Sequence, residues 1–250
     1  MRVVVLPLKF PVIRKTTLEE VAEILKPHVE RGDVLAISSS VVSRAEGRIR
    51  KLDEYSPSEE AKRIAENLNE DPRFVQAVLE ESEEVLIEKP FLLVRAKFGN
   101  ICVNAGIDRS NVEEGSILLP PENPDRSAEK LGKMLNVAVV ITDSNGRCFR
   151  KGVTGFAIGC YGVEPLRNWC GERDIFGRKL EKTQECVVDE IAAFANLLMG
   201  EGGDATPAVV FKGLDCLLSL CFSTNVGVRS VYRSEEEDVI RRIIREWSKK

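Results

Sequence analysis

Five consecutive apolar residues, Val137-Ala138-Val139-Val140-Ile141, run straight into Thr142-Asp143-Ser144-Asn145-Gly146-Arg147. The β-branched content and the length of the run predict a buried strand. Asp143 therefore ends an apolar strand instead of lying on a polar helix face. Burying an unpaired carboxylate is costly, so Asp143 needs a cation or several hydrogen-bond donors. Ser144 adds a neutral oxygen beside it, and Arg147, Arg150 and Lys151 place positive charge just downstream, where they are candidate phosphate contacts. Oxygen ligands without imidazole or thiolate favour Mg²⁺ or Mn²⁺, and a cationic loop beside such a metal suits a polyphosphate. The stretch Asp143-Ser144-Asn145-Gly146 equally fits an Asx-type turn, and the residues alone leave both readings open.

Around this strand the pattern alternates irregularly. Val3 to Leu8 is strand-like, and the capping box Thr17-Leu18-Glu19-Glu20 opens a helix that ends near Pro27. Asp33 to Ile37 forms a strand leading into Ser38-Ser39-Ser40 and then Ser43 to Arg48, where hydroxyls and an arginine at a strand exit suggest a polar ligand. Ser56-Pro57-Ser58-Glu59 predicts an N-cap at Ser56 with proline at N1, and Asp71-Pro72 starts the next helix in the same way. The acidic run Glu80-Glu81-Ser82-Glu83-Glu84 reads as a solvated face. Short strands are expected at 85–87, 91–94 and 101–103, then a helix at 127–135. The longest helical signal is Thr183 to Met199, with Val187, Ile191, Phe194, Ala195 and Leu198 at helical spacing. A strand at 208–211 and a terminal amphipathic helix at 234–247 complete the chain. Strands and helices do not alternate as in a Rossmann sheet or barrel, so the fold class is α+β with mixed sheets and packed helices.

Composition narrows the chemistry. The chain of 250 residues is long enough for one large core or two coupled lobes. With 36 basic and 40 acidic residues the net charge is −4, so no global cationic field recommends a nucleic acid or an anionic membrane as partner. The one histidine, His28, follows a helix end at Pro27 and reads as a surface or capping residue, which disfavours histidine triads and most zinc sites. Seven cysteines, at 102, 148, 160, 170, 186, 216 and 221, form no Cys-x-x-Cys pair and an odd set, which argues against a disulfide framework. The N-terminal apolar run is too short for a signal peptide, and no segment reaches the roughly 20 apolar residues of a membrane span. A cytoplasmic protein is expected.

Two further oxygen-rich segments stand out. Gly200-Glu201-Gly202-Gly203-Asp204 follows a helix, as a C-cap does; its glycines also let backbone N–H groups approach phosphates, and Glu201 or Asp204 could hold a metal. The Gly-Lys-Ser/Thr of a Walker A motif is absent. Asp108 and Asn111 follow the strand ending at Val103, where a plain loop turn is the alternative.

Taken together, the blocks resemble the coenzyme F420-0:L-glutamate ligase family, the GTP-dependent γ-glutamyl ligases of deazaflavin cofactor biosynthesis. The matching pieces are Val42 to Arg48, Asn104 to Asn111, Leu118-Leu119-Pro120, Asp125 to Ala128, Ile141 to Arg147, Ala157-Ile158-Gly159, Asp189 to Ala193 and Met199 to Gly202. They occur in family order up to about residue 213. The resemblance implies a single domain over 1–250, an α+β fold in two coupled lobes and an intertwined homodimer. It implies two divalent ions, Mg²⁺ or Mn²⁺, one held by Asp108 and Asp143 and the other by Ser144 and Glu201, with K⁺ assisting. For GTP it implies Phe10, Pro11, Val12, Ile13, Ser39, Ser40, Arg44, Asn111, Met199, Gly200, Glu201, Gly202, Gly203, Asp204, Ala205 and Thr206.

The implied reaction adds L-glutamate to coenzyme F420-0 through an acyl phosphate, releasing GDP and phosphate, and further γ-linked glutamates are part of the same chemistry. Transfer of a GTP γ-phosphoryl group depends on metals and basic side chains more than on imidazole, which suits the composition. Arg44 stands where the family pattern has lysine, Ser144 where it has threonine, and the stretch from Gly213 to Tyr232 is longer and more apolar than the pattern. Two other functions fit the residues: a different nucleotide-dependent amide ligase on the same scaffold, and a non-catalytic GTP-binding module. No catalytic base is assigned.

Overall fold

The computed structural model describes residues 2–11, 14–216, 218, 220, 222 and 226–247. Val12, Ile13 and Cys221 lie outside them, so the expected nucleotide contacts of Val12 and Ile13 do too.

β1 (Val4–Leu8) precedes α1 (Leu18–Leu25), which buries Leu18, Val21, Ala22 and Leu25 at helical spacing. His28 is exposed in the short turn after it. β2 (Val34–Ser38) passes without a loop into α2 (Ser39–Ala45), and β3 (Ile49–Lys51) follows. α3 (Glu59–Leu68) is capped by Ser58, two residues later than expected. Gln76 Oε1 accepts the Ser58 N–H at 3.0 Å, and Ser58 Oγ accepts from the Ala61 N–H at 3.1 Å, so the helix starts beyond Ser58. Asp71 caps α4 (Pro72–Glu80) through the Arg73 N–H at 2.8 Å, with Pro72 at N1 as the sequence predicts. β4 (Ser82–Ile87), β5 (Leu93–Ala96), β6 (Ile101–Val103), β7 (Ser116–Leu118) and α5 (Pro124–Leu135) come next. β8 (Ala138–Arg147) and β9 (Arg150–Tyr161) form a long hairpin, followed by β10 (Leu166–Asn168), β11 (Gln184–Cys186), α6 (Val187–Met199), β12 (Ala208–Lys212) and α7 (Val239–Trp247). The fold is α+β.

Two compact units divide these elements. The first contains the described residues of Met1–Ile13, Leu18–Ser38 and Pro124–Val231. Its main sheet has the order β1-β12-β2-β8-β9, with β2 parallel to β8 and every other neighbour antiparallel. Val34 to Ile37 and Val137 to Ile141 are wholly buried, which is why both read as unbroken apolar runs. β8 does not stop at Thr142. Asp143 pairs with Phe156, Ser144 with Gly155, Asn145 with Thr154 and Gly146 with Val153, so the Asx-turn alternative is wrong. The chain reverses at Cys148-Phe149, because β9 is long enough to pair with the polar half of β8.

β9 ends the sheet, and an end strand leaves alternate N–H groups without a ladder partner. Asp189 Oδ1 of α6 accepts the Ala157 N–H at 2.9 Å, and Asp125 Oδ1 of α5 accepts the Cys160 N–H at 2.9 Å. The same Asp125 oxygen takes the Val228 N–H at 2.9 Å. Glycines admit the helices this closely: a Cβ on Gly155 would lie 2.4 Å from the Ala192 carbonyl oxygen, and one on Gly159 would lie 2.4 Å from the Pro124 carbonyl carbon.

α6 begins at Val187, four residues later than expected, because Gln184 to Cys186 pair with β10 instead. Its buried face is Val187, Val188, Ile191, Ala192, Ala195 and Met199. Phe194 and Leu198, expected on that face, are exposed, and Phe194 keeps only one edge against Phe211 with ring centroids 5.7 Å apart.

The second unit contains Arg14–Thr17, Ser39–Asn123 and the described residues of Tyr232–Lys250. It holds the antiparallel pair β3-β7, the antiparallel sheet β4-β5-β6 and helices α2, α3, α4 and α7. The acidic run is not one continuous solvated face: Glu80 and Glu83 are exposed, whereas Glu81 and Glu84 are half-buried. α4 ends at Glu80, Glu81 pairs with Arg48 at 2.7 Å, and Glu84 on β4 faces Arg241 and Arg245 of α7. α7 starts at Val239 and not at Ser234, whose N–H is taken by Glu237 Oε2 at 2.9 Å in the preceding turn.

Glu84 and Arg241 make the ion pair that ties α7 down, with Arg241 only 8% exposed. Desolvation pushes the Glu84 carboxyl upward, but hydrogen bonds and charge from Arg245 and Arg241 together outweigh it and hold it below the usual glutamate range. A depressed folded-state pKa gives stabilisation that is present above the unfolded value and lost as pH falls through the folded one. Glu84→Gln is therefore expected to cost about 2 kcal/mol at neutral pH in denaturant unfolding. That is less than the roughly 3–5 kcal/mol of a fully buried pair, because Glu84 keeps some solvent contact. The difference from wild type should shrink as pH falls below the ordinary glutamate range.

Candidate active site

The polar half of β8 and the loop after α6 meet in the first unit. Asp143 Oδ1 accepts the Ser144 N–H at 2.8 Å, and Ser144 Oγ donates to Glu201 Oε2 at 3.3 Å. The other carboxylate oxygen, Glu201 Oε1, accepts from Asn196 Nδ2 at 2.9 Å. Asp143 is half-buried, whereas Glu201 is exposed.

Glu201 owes its place to the end of α6. Gly200 closes the helix at φ +70, a conformation open to glycine, and its N–H reaches the Asn196 carbonyl at 2.9 Å. The loop is tied back to the segment after β1 by the Phe10 N–H donating to the Ala205 carbonyl at 2.9 Å, and to β2 by the Ser38 N–H donating to the Pro207 carbonyl at 2.8 Å. Thr206 is buried and its Oγ donates to the Asp204 carbonyl at 3.2 Å. Phe10 and Met199 are buried. Pro11, Gly200, Glu201, Gly202, Gly203, Asp204 and Ala205 are exposed and available to a ligand.

Arg147, Arg150 and Lys151 are exposed at the tip of the β8–β9 hairpin. At about 3.3 Å per residue, Arg147 stands roughly 10 Å along the strand from Ser144.

In the second unit, Asp108 and Asn111 form a local cluster with Arg44. Asp108 Oδ1 accepts the Ser110 N–H at 2.6 Å and its Oδ2 accepts from Ser110 Oγ at 2.8 Å, an Asx-type arrangement. Arg44 donates to the Asn111 carbonyl at 2.5 Å, and Asn111 lies at φ +53. Ser39 and Ser40 are half-buried in the first turn of α2. Ser144 and Glu201 thus converge within the first unit, while Asp108 belongs to the second.

Among the described residues, no three His, Cys, Asp or Glu side chains form a ready metal cage. The donors present are oxygens, and the 3.3 Å between Ser144 Oγ and Glu201 Oε2 is close to the about 3 Å that separates neighbouring ligands around an ion with metal–oxygen bonds near 2.1 Å. They fit Mg²⁺ or Mn²⁺, which keep several waters and take further oxygens from substrate phosphates. Elsewhere in this unit, burial and then the Asp189 carboxylate push the Cys186 thiol up to about 12, and burial with Asp125 also raises Cys160.

The sequence model of the F420-0:gamma-glutamyl ligase family matches residues 8–213, which include every one of these groups. The chain belongs to that family. Curated members similar to it include a coenzyme F420:L-glutamate ligase of Archaeoglobus fulgidus, 57% identical over 98% of this chain and 99% of the relative. Proteins of the same name from Methanosarcina mazei, 47% identical over 85% of each chain, and Natronomonas pharaonis, 48% identical over 92% of each, are also similar.

Four residues that support the site are not evident from the sequence. Asn196 sits five residues before Glu201 on a helix read only for its apolar face. Gly155 lies in a strand that glycines at 152, 155 and 159 made hard to recognise. Asp125 and Asp189 belong to two of the matching blocks, but their work as acceptors for β9 N–H groups becomes visible only with the sheet order. In Gly155→Ala the new methyl would meet the Ala192 carbonyl at 2.4 Å and Asn196 Cβ at 2.5 Å, forcing α6 off β9. A loss of about 1–3 kcal/mol in denaturant unfolding is expected, and an unchanged midpoint would contradict the close approach.

Proposed function

We propose that the chain is a GTP-dependent ligase that joins L-glutamate to coenzyme F420-0 in an amide bond, releasing GDP and phosphate. Membership of the family, with near full-length similarity to proteins named coenzyme F420:L-glutamate ligase, carries this reading. The meeting of Ser144 and Glu201 supports it from the side of geometry.

In this proposal the acceptor carboxylate attacks the γ-phosphorus of GTP, giving an acyl phosphate and GDP. The glutamate amine then attacks the acyl carbon and inorganic phosphate leaves. Two divalent ions, Mg²⁺ or Mn²⁺, would neutralise charge on the transferring phosphoryl group, and K⁺ would assist. Asp143, Ser144 and Glu201 are the proposed oxygen ligands of the first unit, and Asp108 that of the second. The exposed backbone of Gly200 to Ala205 would line the nucleotide, as Pro11 would from the segment after β1. Arg44 and Asn111, with Ser39 and Ser40, are the proposed nucleotide groups of the second unit. Arg44 brings a planar fork of donors in place of a point charge, which suits two phosphate oxygens at once. Arg147, Arg150 and Lys151 would attract the anionic substrates to a protein whose net charge is −4. We further propose a cytoplasmic homodimer; among the described residues no helix is long and apolar enough to cross a membrane.

Purified protein incubated with GTP, Mn²⁺, L-glutamate and F420-0 should give an acceptor heavier by one or more glutamyl residues in mass spectrometry, with GDP formed in proportion. Absence of any mass increase under every divalent metal would reject the proposal. Asp143→Asn should lower turnover at least 100-fold while circular dichroism and the melting temperature stay near wild type, because a neutral amide loses both ligand charge and electrostatic support for phosphoryl transfer.

A further inference from the structure

Glu201 is the first residue beyond the C-cap of α6, exposed, on a loop of glycines. A glutamate so placed has three free side-chain torsions and a backbone with little to restrain it, which is a poor setting for a metal ligand. Two bonds from one residue supply the restraint. The Asn196 carbonyl takes the Gly200 N–H at 2.9 Å and fixes the backbone just before Glu201. The Asn196 side-chain amide donates to Glu201 Oε1 at 2.9 Å and fixes the carboxylate plane.

The consequence is a division of the carboxylate. Oε1 is occupied by Asn196, and Oε2 is left facing Ser144 Oγ at 3.3 Å. An amide suits the task because it donates without bringing charge, so the carboxylate keeps its full attraction for a cation. An arginine or lysine there would compete with the metal. The neighbouring strand is cut to admit this side chain: a Cβ on Gly155, the residue paired with Ser144, would lie 2.5 Å from Asn196 Cβ.

We infer that Asn196 is a positioning residue for the metal site of the ligase, holding Glu201 so that a single carboxylate oxygen, Oε2, is turned with Ser144 Oγ toward a divalent cation. The inference rests on the reading of Glu201 as a metal ligand. Asn196 itself touches neither cation nor substrate.

The test is titration of the full-length chain with Mn²⁺ alone by calorimetry, for wild type, Glu201→Gln, Asn196→Ala and Asn196→Gln, with melting temperatures measured in parallel. Glu201→Gln should abolish the affected binding event. Asn196→Ala should weaken it about 10-fold, in line with loss of an outer-shell partner, at a melting temperature near wild type. Asn196→Gln, which retains the donor, should recover part of that loss. Equal Mn²⁺ affinity in wild type and Asn196→Ala, with Glu201→Gln still defective, would overturn the positioning role alone. Equal weakening in Ala and Gln variants accompanied by a lowered melting temperature would also overturn it, in favour of packing. Equal Mn²⁺ affinity in wild type and Glu201→Gln, or no binding by wild type, would overturn the metal reading of Glu201 and the positioning role with it.

Discussion

Two aspartates that accept backbone N–H groups of the end strand β9 hold together the part of the molecule on which everything else depends. An end strand buried beneath helices would otherwise carry unsatisfied donors, each costing about 1–3 kcal/mol, so the helices could not cover it without bringing acceptors. Asp125 and Asp189 are those acceptors, one on the first turn of α5 and one on the first turn of α6. Because both helices are held to β9 by these bonds, glycine is required where they approach it most closely, at 155 and 159.

That constraint sets the geometry of the site. Once α6 is fixed against Gly155, its last turn ends beside the β8 residue that pairs with Gly155, which is Ser144. Glu201 follows at the first position where the chain can leave the helix, and its carboxylate bridges a helix amide and a strand hydroxyl. Oxygen-bearing groups from two distant stretches of the sequence, Asp143-Ser144 and Asn196 to Glu201, then gather without a histidine. The negative field they create favours cations, and in the proposed ligase metal charge would stand between an acidic chain and anionic phosphates.

Much of this was legible in the residues. The strand run at 137–141, the start of α1 near Leu18, the cap at Asp71 and the oxygen residues 143, 144 and 201 follow from local chemistry, and the ordered blocks pointed to the family. What escaped was set by partners far away in sequence. The polar half of β8 resembles a turn until β9 supplies its ladder, and β9 is hidden by the glycines that its helices require. The face of α6 was misjudged because Phe194 and Leu198 are apolar yet exposed, while small Ala192 and Val188 carry the packing. Glu84 looked like one of a solvated acidic run, and the arginines of α7, some 160 residues later, explain why it is half-buried.

Ser144 and Glu201, brought together where α6 ends against the β8–β9 hairpin, are the proposed ligands of a divalent cation. Crystals of the full chain grown with Mn²⁺ and GDP, with anomalous diffraction recorded at the manganese edge, test this assignment most directly. An anomalous peak is expected about 2.2 Å from Ser144 Oγ and from a single oxygen of Glu201, with Asn196 still bonded to the other. Manganese bound elsewhere, with the Ser144–Glu201 hydrogen bond intact, would contradict it.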